Sequence, residues 1–303
     1  MEELGRAAGV GAVRLDRALA ELAQRGHRLE YSPTMGVCLR RPASLDAYLI
    51  ERDLGTRRIG RHVICFPVLD STNDTAGDSA SQPNSDGLVV LAEAQRKGRG
   101  RHGRHWFSPP TANVLMSVLL KDPQQSLPQE AVTVSAGLAV AEGIEEAYSL
   151  ACTLKWPNDV LIDGRKVAGV LVELHAGCNQ CDLVVGIGVN VNASPASADV
   201  TVPATCLAEH LPGRLERIDL VRAILRRLDD WMVRLEESPS DAIQTLRQRW
   251  SHRCAMLNGR YTIASRGRRF TGRVVDIDPL EGLTLVTDTG SRIHLPAEAS
   301  SVV

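Results

Sequence analysis

The sequence predicts an α+β chain, with a central mixed β-sheet on which helices pack, a short helical module before it and a small β-barrel after it. Three observations carry this. Between residues 61 and 191, strand-like runs flank one long helical segment, Gln129–Tyr148, in which Val132, Ala136, Ala139, Val140 and Ile144 recur broadly at helical spacing. After Leu257 the pattern turns wholly to short strands between turn residues. Before Pro42, two helical stretches are followed by two strand-like ones. A chain of 303 residues has room for two or three cores, and the expected divisions are 1–45, 46–255 and 256–303.

Composition narrows the class. Hydrophobic content of 44% and charged content of 23% are those of an ordinary globular protein. A formal net charge of −1 excludes a chain that binds nucleic acid by overall charge, so any such contact must be local. No apolar run is long enough for a membrane span, and Met1–Arg6 lacks an apolar signal core. The seven cysteines (Cys38, Cys65, Cys152, Cys178, Cys181, Cys206 and Cys254) are odd in number and scattered, which suits reduced thiols and a cytoplasmic location. Cys178 and Cys181 have C-x-x-C spacing without a matching second ligand pair, so a hairpin turn is expected there rather than zinc.

At the start, Glu3–Ala8 and Ala12–Arg25 read as helices, the second with Val13, Leu15, Leu19 and Leu22 as its apolar positions. Arg28–Tyr31 and Val37–Arg40 follow as strands. Two readings stand side by side, a winged helix-turn-helix and a small capping subdomain. The first would lack an opening helix, for which there is no room before Glu3, and would suit a chain that begins inside a longer product. Pro42 and Ser44 introduce a helix over Leu45–Leu54, and Arg61–Leu69 is a strand. Asp70-Ser71-Thr72-Asn73 then offers several N-cap oxygens at a strand end.

The strand Gly87–Gln95 leads into Arg96-Lys97-Gly98-Arg99-Gly100-Arg101-His102-Gly103-Arg104-His105-Trp106, which holds five fixed positive charges and no acid. Its glycines would let backbone amides approach an anion, and arginine suits phosphate geometry. The alternative is a solvated turn. Gly98-x-Gly100-x-x-Gly103, with Asp122 downstream, formally matches a dinucleotide fingerprint, but Ser108-Pro109-Pro110 stands where its helix would open. The apolar strand Asn113–Leu120 follows instead.

After the long helix, a strand ends at Lys155-Trp156-Pro157-Asn158-Asp159, which gathers a cation, an indole, an amide and a carboxylate. Val160–Ile162 and Lys166–Leu174 form the clearest hairpin, because Asp163-Gly164 favours a primed turn. By strict alternation Lys166 shares a row with Ala168, Val170 and Val172, so its ammonium either snorkels at the strand end or faces a ligand. In the strand Leu183–Val191, Gly186 and Gly188 thin one face for a flat ligand or another backbone, and Asn190 and Asn192 lie at its end. Helices are expected near Pro203–Leu211, Asp219–Glu237 and Pro239–Trp250. The barrel strands are Gly259–Ser265, Arg268–Asp278, Gly282–Thr287 and Ser291–Leu295, with Arg266, Arg268 and Arg269 at a solvated tip or, alternatively, a carrier or nucleotide contact.

Taken in order, five motifs resemble the biotin–protein ligase family, especially its bacterial form with an N-terminal winged helix. They are Asp70–Asn73, Gln95 with Gly98–Arg104, Lys155–Asp159, Arg165–Glu173 and Gly186–Asn190. The resemblance covers residues 61–303 well and 1–50 loosely, and implies the class II synthetase-like biotin–lipoate ligase fold with an SH3-like C-terminal barrel. It implies that biotin reacts with ATP to give biotinyl-5′-AMP, with Mg²⁺ on the phosphates. The biotinyl group then passes to a lysine of a biotin carboxyl carrier domain, usually that of acetyl-CoA carboxylase.

By matching positions, Ser71, Thr72, Asn73, Gln95, Arg99, Gly100, Arg101, Lys166, Gly186 and Gly188 would hold biotin. Lys166, Arg99 and Arg101 would serve the reaction, while Arg101, Arg104, Trp106, Lys155, Asn158, Asp159 and Asn190 would bind ATP or the adenylate. No residue is assigned to metal. The basic loop would close over the adenylate and keep water out. Pairing through sheet edges as a homodimer and DNA binding by residues 1–45 are further implications. Pro296–Val303 lacks the arginine that some relatives place beside the nucleotide, which leaves the barrel's share of ATP binding open. The rivals are a lipoate ligase or octanoyltransferase, the latter needing a catalytic cysteine that these motifs lack, and a regulator that only senses ligand.

Overall fold

The computed structural model describes residues 2–24, 28–32, 36–41, 44–122, 127–176, 181–195, 203–297 and 299–302. The opening module comprises α1 (Glu2–Ala7), α2 (Ala12–Gln24) and the antiparallel pair β1 (Arg28–Ser32) and β2 (Gly36–Arg41). On α2 Leu15 and Leu19 are buried, whereas Val13 is 84% exposed, contrary to expectation. Leu15, Leu19 and Leu22 form one i, i+4, i+7 stripe, and Val13 falls nearly opposite it. The next helix, α3 (Ala47–Glu51), is shorter than its apolar pattern suggests, and Asp46 rather than Ser44 caps it by accepting from Leu49 N.

The central sheet has seven strands: β3 (Val63–Phe66), β4 (Val89–Ala92), β5 (Val114–Leu120), β6 (Thr153–Lys155), β7 (Asp159–Ile162), β8 (Arg165–Ala176) and β9 (Cys181–Val189). Their order is β3-β4-β5-β9-β8-β7-β6, with only β3 and β4 parallel. The hairpin turn expected at Cys178–Cys181 falls on residues 177–180, which lie outside the described residues. At the β7–β8 turn, Asp163 and Gly164 have φ of 49° and 73°, the primed-turn geometry their sequence favours.

One face of this sheet packs on α5 (Gln129–Tyr148), α6 (Arg217–Glu237) and α7 (Pro239–Arg253). Met116, Val118, Val185, Ile187, Val170 and Val172 point into that core, which explains why α5 is apolar almost all round. The other face carries α4 (Thr72–Asp78) over Val90, Leu119 and Val184. Beyond α4 it is open, and that opening is the site. The segment expected as a helix near Pro203–Leu211 contains only a 3₁₀ turn at Leu207–Glu209, because residues 203–205 run extended beside β8.

The C-terminal sheet contains β10 (Arg260–Ser265), β11 (Arg268–Asp278), β12 (Gly282–Val286), β13 (Arg292–Pro296) and β14 (Ser300–Val302), all antiparallel in the order β13-β12-β11-β10-β14. The sequence pattern missed β14, which is too short for a period-2 signal. Arg266, Arg268 and Arg269 are exposed at the β10–β11 tip.

Candidate active site

A cavity of about 370 Å³ opens on the sheet's second face, lined from the α4 N-terminus, the basic loop, the β6–β7 turn, β8, β9 and the end of β14. Every residue expected to bind ligand lies on its wall: Ser71, Thr72, Asn73, Gln95, Arg99, Gly100, Arg101, Arg104, Trp106, Lys155, Asn158, Asp159, Lys166, Gly186, Gly188 and Asn190.

One end of the cavity is a hydrogen-bonded polar cluster. Ser71 caps α4 by accepting from Asp74 N at 3.4 Å. Thr72 N donates to Gln95 Oε1 at 2.7 Å, and the Ser117 hydroxyl lies 2.6 Å from Asn73 Oδ1 and 2.7 Å from Thr72 Oγ1. Asn73 Nδ2 donates to Glu173 Oε2 at 2.6 Å, which fixes the orientation of the amide. Ser117 was missed by the sequence reading; it is fully buried, and its signal is a lone hydroxyl within the apolar strand Val114–Leu120. Gly186 is required here, since an added Cβ would stand 2.3 Å from Asn73 Oδ1.

The five charges of the basic loop divide into two groups. Lys97 and Arg96 pair with Asp70 at 2.8 and 3.4 Å and so tie down the loop's base. Arg99 donates to Asp74 at 2.6 Å, to both oxygens of Glu173 at 3.1 and 2.9 Å, and to Ser71 Oγ at 3.1 Å. These bonds, to Asp74 first and then to Glu173, raise the Arg99 pKa. Its charge is thus already engaged by carboxylates. Arg101 and Arg104 remain: Arg101 makes one long bond to Ala297 O at 3.4 Å, and burial lowers its pKa against the pull of Asp159.

The other end is therefore cationic. Lys155 lies half-buried, with its pKa lowered chiefly by desolvation, and neither it nor Arg104 has an ion-pair partner among the described residues. Lys166 Nζ lies 2.6 Å from Asp159 Oδ1 and 5.4 Å from the Trp106 ring centroid. Its expected row was wrong. The β7–β8 register shifts opposite Val160 and Leu161, so that Val167 and Ala168 both enter the core and Lys166 falls beside Gly169 on the cavity side. A Cβ on Gly169 would lie 3.1 Å from Lys166 Nζ. Asn158 Nδ2 donates to Val170 O at 2.6 Å, tying the turn to β8. Among the described residues, the buried atoms Trp106 Nε1 and Asn190 Oδ1 have no hydrogen-bond partner.

The mixed sheet, with long helices on one face, this cavity on the other and a small C-terminal barrel, defines a ligase of the biotin and lipoate kind. The model of the Biotin/lipoate A/B protein ligase family matches residues 65–190. The bifunctional ligase/repressor BirA of Bacillus subtilis is 32% identical, over 95% of this chain and 89% of that protein. The biotin–[acetyl-CoA-carboxylase] ligase of Mycobacterium tuberculosis is 30% identical over 82% of this chain and 96% of that protein. Among solved structures, the biotin protein ligase from Aquifex aeolicus in complex with biotin and ATP matches with a TM-score of 0.65 and 26% identity, covering 80% of this chain and 99% of that one. The chain belongs to the biotin–protein ligase family. No helix among its described residues is long and apolar enough to cross a membrane.

Proposed function

We propose that this chain activates biotin with ATP and transfers the biotinyl group to a lysine of a biotin carboxyl carrier domain, that of acetyl-CoA carboxylase. The observation that carries the reading is a single cavity with a neutral hydrogen-bonding end and a cationic end. In the first step, a biotin carboxylate oxygen bonds to the α-phosphorus of ATP, and pyrophosphate leaves with the electrons of the broken P–O bond. In the second, the carrier amine attacks the acyl carbon, AMP leaves and the amine loses a proton.

The assignments follow from this polarity. Ser71, Thr72, Asn73 and Gln95 receive the ureido ring, with Gly100 and Gly186 beside it and Gly188 leaving room for the Trp106 indole. Lys166, Arg101, Arg104 and Lys155 face the meeting anions and stabilise charge at the reacting phosphorus, with no covalent step through the protein. Trp106 and Asn190, each with an orphaned buried polar atom, suit the nucleotide, as do Asn158 and Asp159. Arg99 acts on biotin through Ser71, Asp74 and Glu173 rather than through phosphate.

Magnesium fits the site as an ion held largely by phosphate. Asp159 is the only carboxylate lining the cavity among the described residues, and Mg²⁺ takes one or two carboxylates together with phosphates. When bound, it would neutralise phosphate charge.

The division into a 1–45 module, a 46–255 catalytic unit and a 256–303 barrel is part of the same reading. A second role, DNA binding by residues 1–45, is favoured by α2 followed by the β1–β2 hairpin, by exposed Arg14 and Arg17 on α2, and by the repressor name of the Bacillus relative. Purified protein mixed with biotin, ATP, Mg²⁺ and an apo carrier domain should label the carrier on a streptavidin blot. No label would defeat the ligase reading, and a gel shift with upstream DNA tests the second role.

A further inference from the structure

The strand end that bears Lys166 is held from outside the β7–β8 ladder. Lys166 N donates to Pro203 O at 2.8 Å, and Thr205 N donates to Lys166 O at 2.9 Å. On its other side Thr205 O accepts from Asn190 Nδ2 at 3.1 Å. One residue thus fixes both the main chain of the cavity's lysine and the side-chain amide of its buried asparagine.

Thr205 is itself locked. It is fully buried, and its hydroxyl lies 3.1 Å from Glu209 Oε2 and 3.0 Å from His210 Nε2. Glu209 accepts from Arg165 Nη1 at 2.6 Å and Ser194 Oγ at 2.9 Å. Desolvation would raise the Glu209 pKa, but these donors outweigh it and bring it to about 2, so the carboxylate stays charged throughout the working range. His210 Nδ1 lies 3.5 Å from Asp163 Oδ2. Asp163 lies in the turn that precedes Lys166 and Arg165 follows that turn, so the clasp begins and ends on the same hairpin.

The clasp sits where the sheet's own ladder is interrupted. The register shift opposite Val160 and Leu161 leaves Val167 without a β7 partner; its carbonyl accepts from Asn190 N at 2.8 Å, but Lys166 lies beyond the β8–β9 ladder, and on that side its main-chain path rests on Pro203 and Thr205. The 2.6 Å contact of Lys166 Nζ with Asp159 depends on which path it takes. Thr205 and Glu209 do not line the cavity, and the cavity residues that Thr205 holds by hydrogen bonds are Lys166 and Asn190.

We propose that Thr205, locked by Glu209, is a positioning residue for adenylate formation, holding the Lys166 main chain and the Asn190 amide in one geometry. The inference rests on the ligase reading of the cavity. Displacing a reacting group by about 1 Å can cost up to about a hundredfold in rate. The test is biotin-dependent ATP–pyrophosphate exchange, with melting temperatures measured alongside, for the parent chain, Thr205→Val, Thr205→Ser and Glu209→Gln.

Thr205→Val should lower kcat about tenfold or more while the KM for biotin moves less than about twofold. Thr205→Ser, which keeps the hydroxyl, should recover most of the rate, and Glu209→Gln should fall between. A Thr205→Val kcat equal to the parent's, or an equal loss in Thr205→Ser, overturns the proposal. If Thr205→Val is unfolded at the assay temperature, Glu209→Gln at the surface decides, and an unchanged kcat there overturns it. A parent chain inactive with biotin and ATP would instead sink the ligase reading, and this inference with it.

Discussion

Gly188 lies beneath the indole of Trp106, where an added Cβ would stand 2.5 Å from the ring. Two strand positions away, a Cβ on Gly186 would meet the Asn73 amide. The two glycines therefore guard different ends of the cavity. Gly188→Ala should raise the KM for ATP about tenfold and leave that for biotin nearly unchanged, and Gly186→Ala should do the reverse. Steady-state kinetics with each substrate varied in turn checks this, and equal effects on both substrates would refute the division.

Ser117→Ala removes the donor that holds Asn73 Oδ1 and leaves that oxygen buried. The expected cost is about 1–3 kcal/mol of stability, together with about tenfold weaker biotin binding. Denaturant unfolding and calorimetric titration read the two separately. Wild-type biotin affinity in this variant would show that the Asn73 amide needs no such support.

Arg99 and Arg101 are two residues apart yet are expected to fail differently. Arg99→Ala releases Asp74 and Glu173 and should mainly raise the KM for biotin. Arg101→Ala, which takes a cation from the reacting end, should mainly lower kcat. If both variants lost kcat at constant KM, Arg99 would have to be returned to the phosphate.

Lys155 links stability to pH. Desolvation lowers its folded pKa, so the unfolded chain holds this proton more tightly than the folded one. Its contribution is therefore unfavourable at neutral pH and diminishes as pH rises from the folded pKa towards the ordinary lysine value. Lys155→Met should raise the melting temperature of the ligand-free protein at pH 7, with a smaller gain at pH 10, and should weaken ATP binding by about tenfold or more. A melting temperature that falls at pH 7 would contradict the desolvation argument.

Much of this site could be read from the sequence, because its groups sit at strand ends and turns where local chemistry is distinctive. Asp163-Gly164 fixed the hairpin that carries Lys166, and Ser71 capped its helix as the tetrad suggested. What escaped notice depends on contacts between distant segments. No local pattern reveals that Arg99 is engaged by Asp74 and Glu173, or that Val167 adds a residue to β8 and turns Lys166 to the other face. Ser117 hides within an apolar strand, and Pro203–Thr205 trades helix for a pairing partner some 40 residues away in sequence.

The last strand of the barrel brings Ser301 and Val302 to the cavity wall, and Arg101 reaches across to Ala297 O. A molecule filling the cavity would touch the central sheet and the barrel together, acting as a fastener between them in addition to the apolar core they share. Occupancy and barrel attachment are then thermodynamically linked: whatever loosens the barrel weakens the ligand, and the ligand tightens the barrel by the same factor.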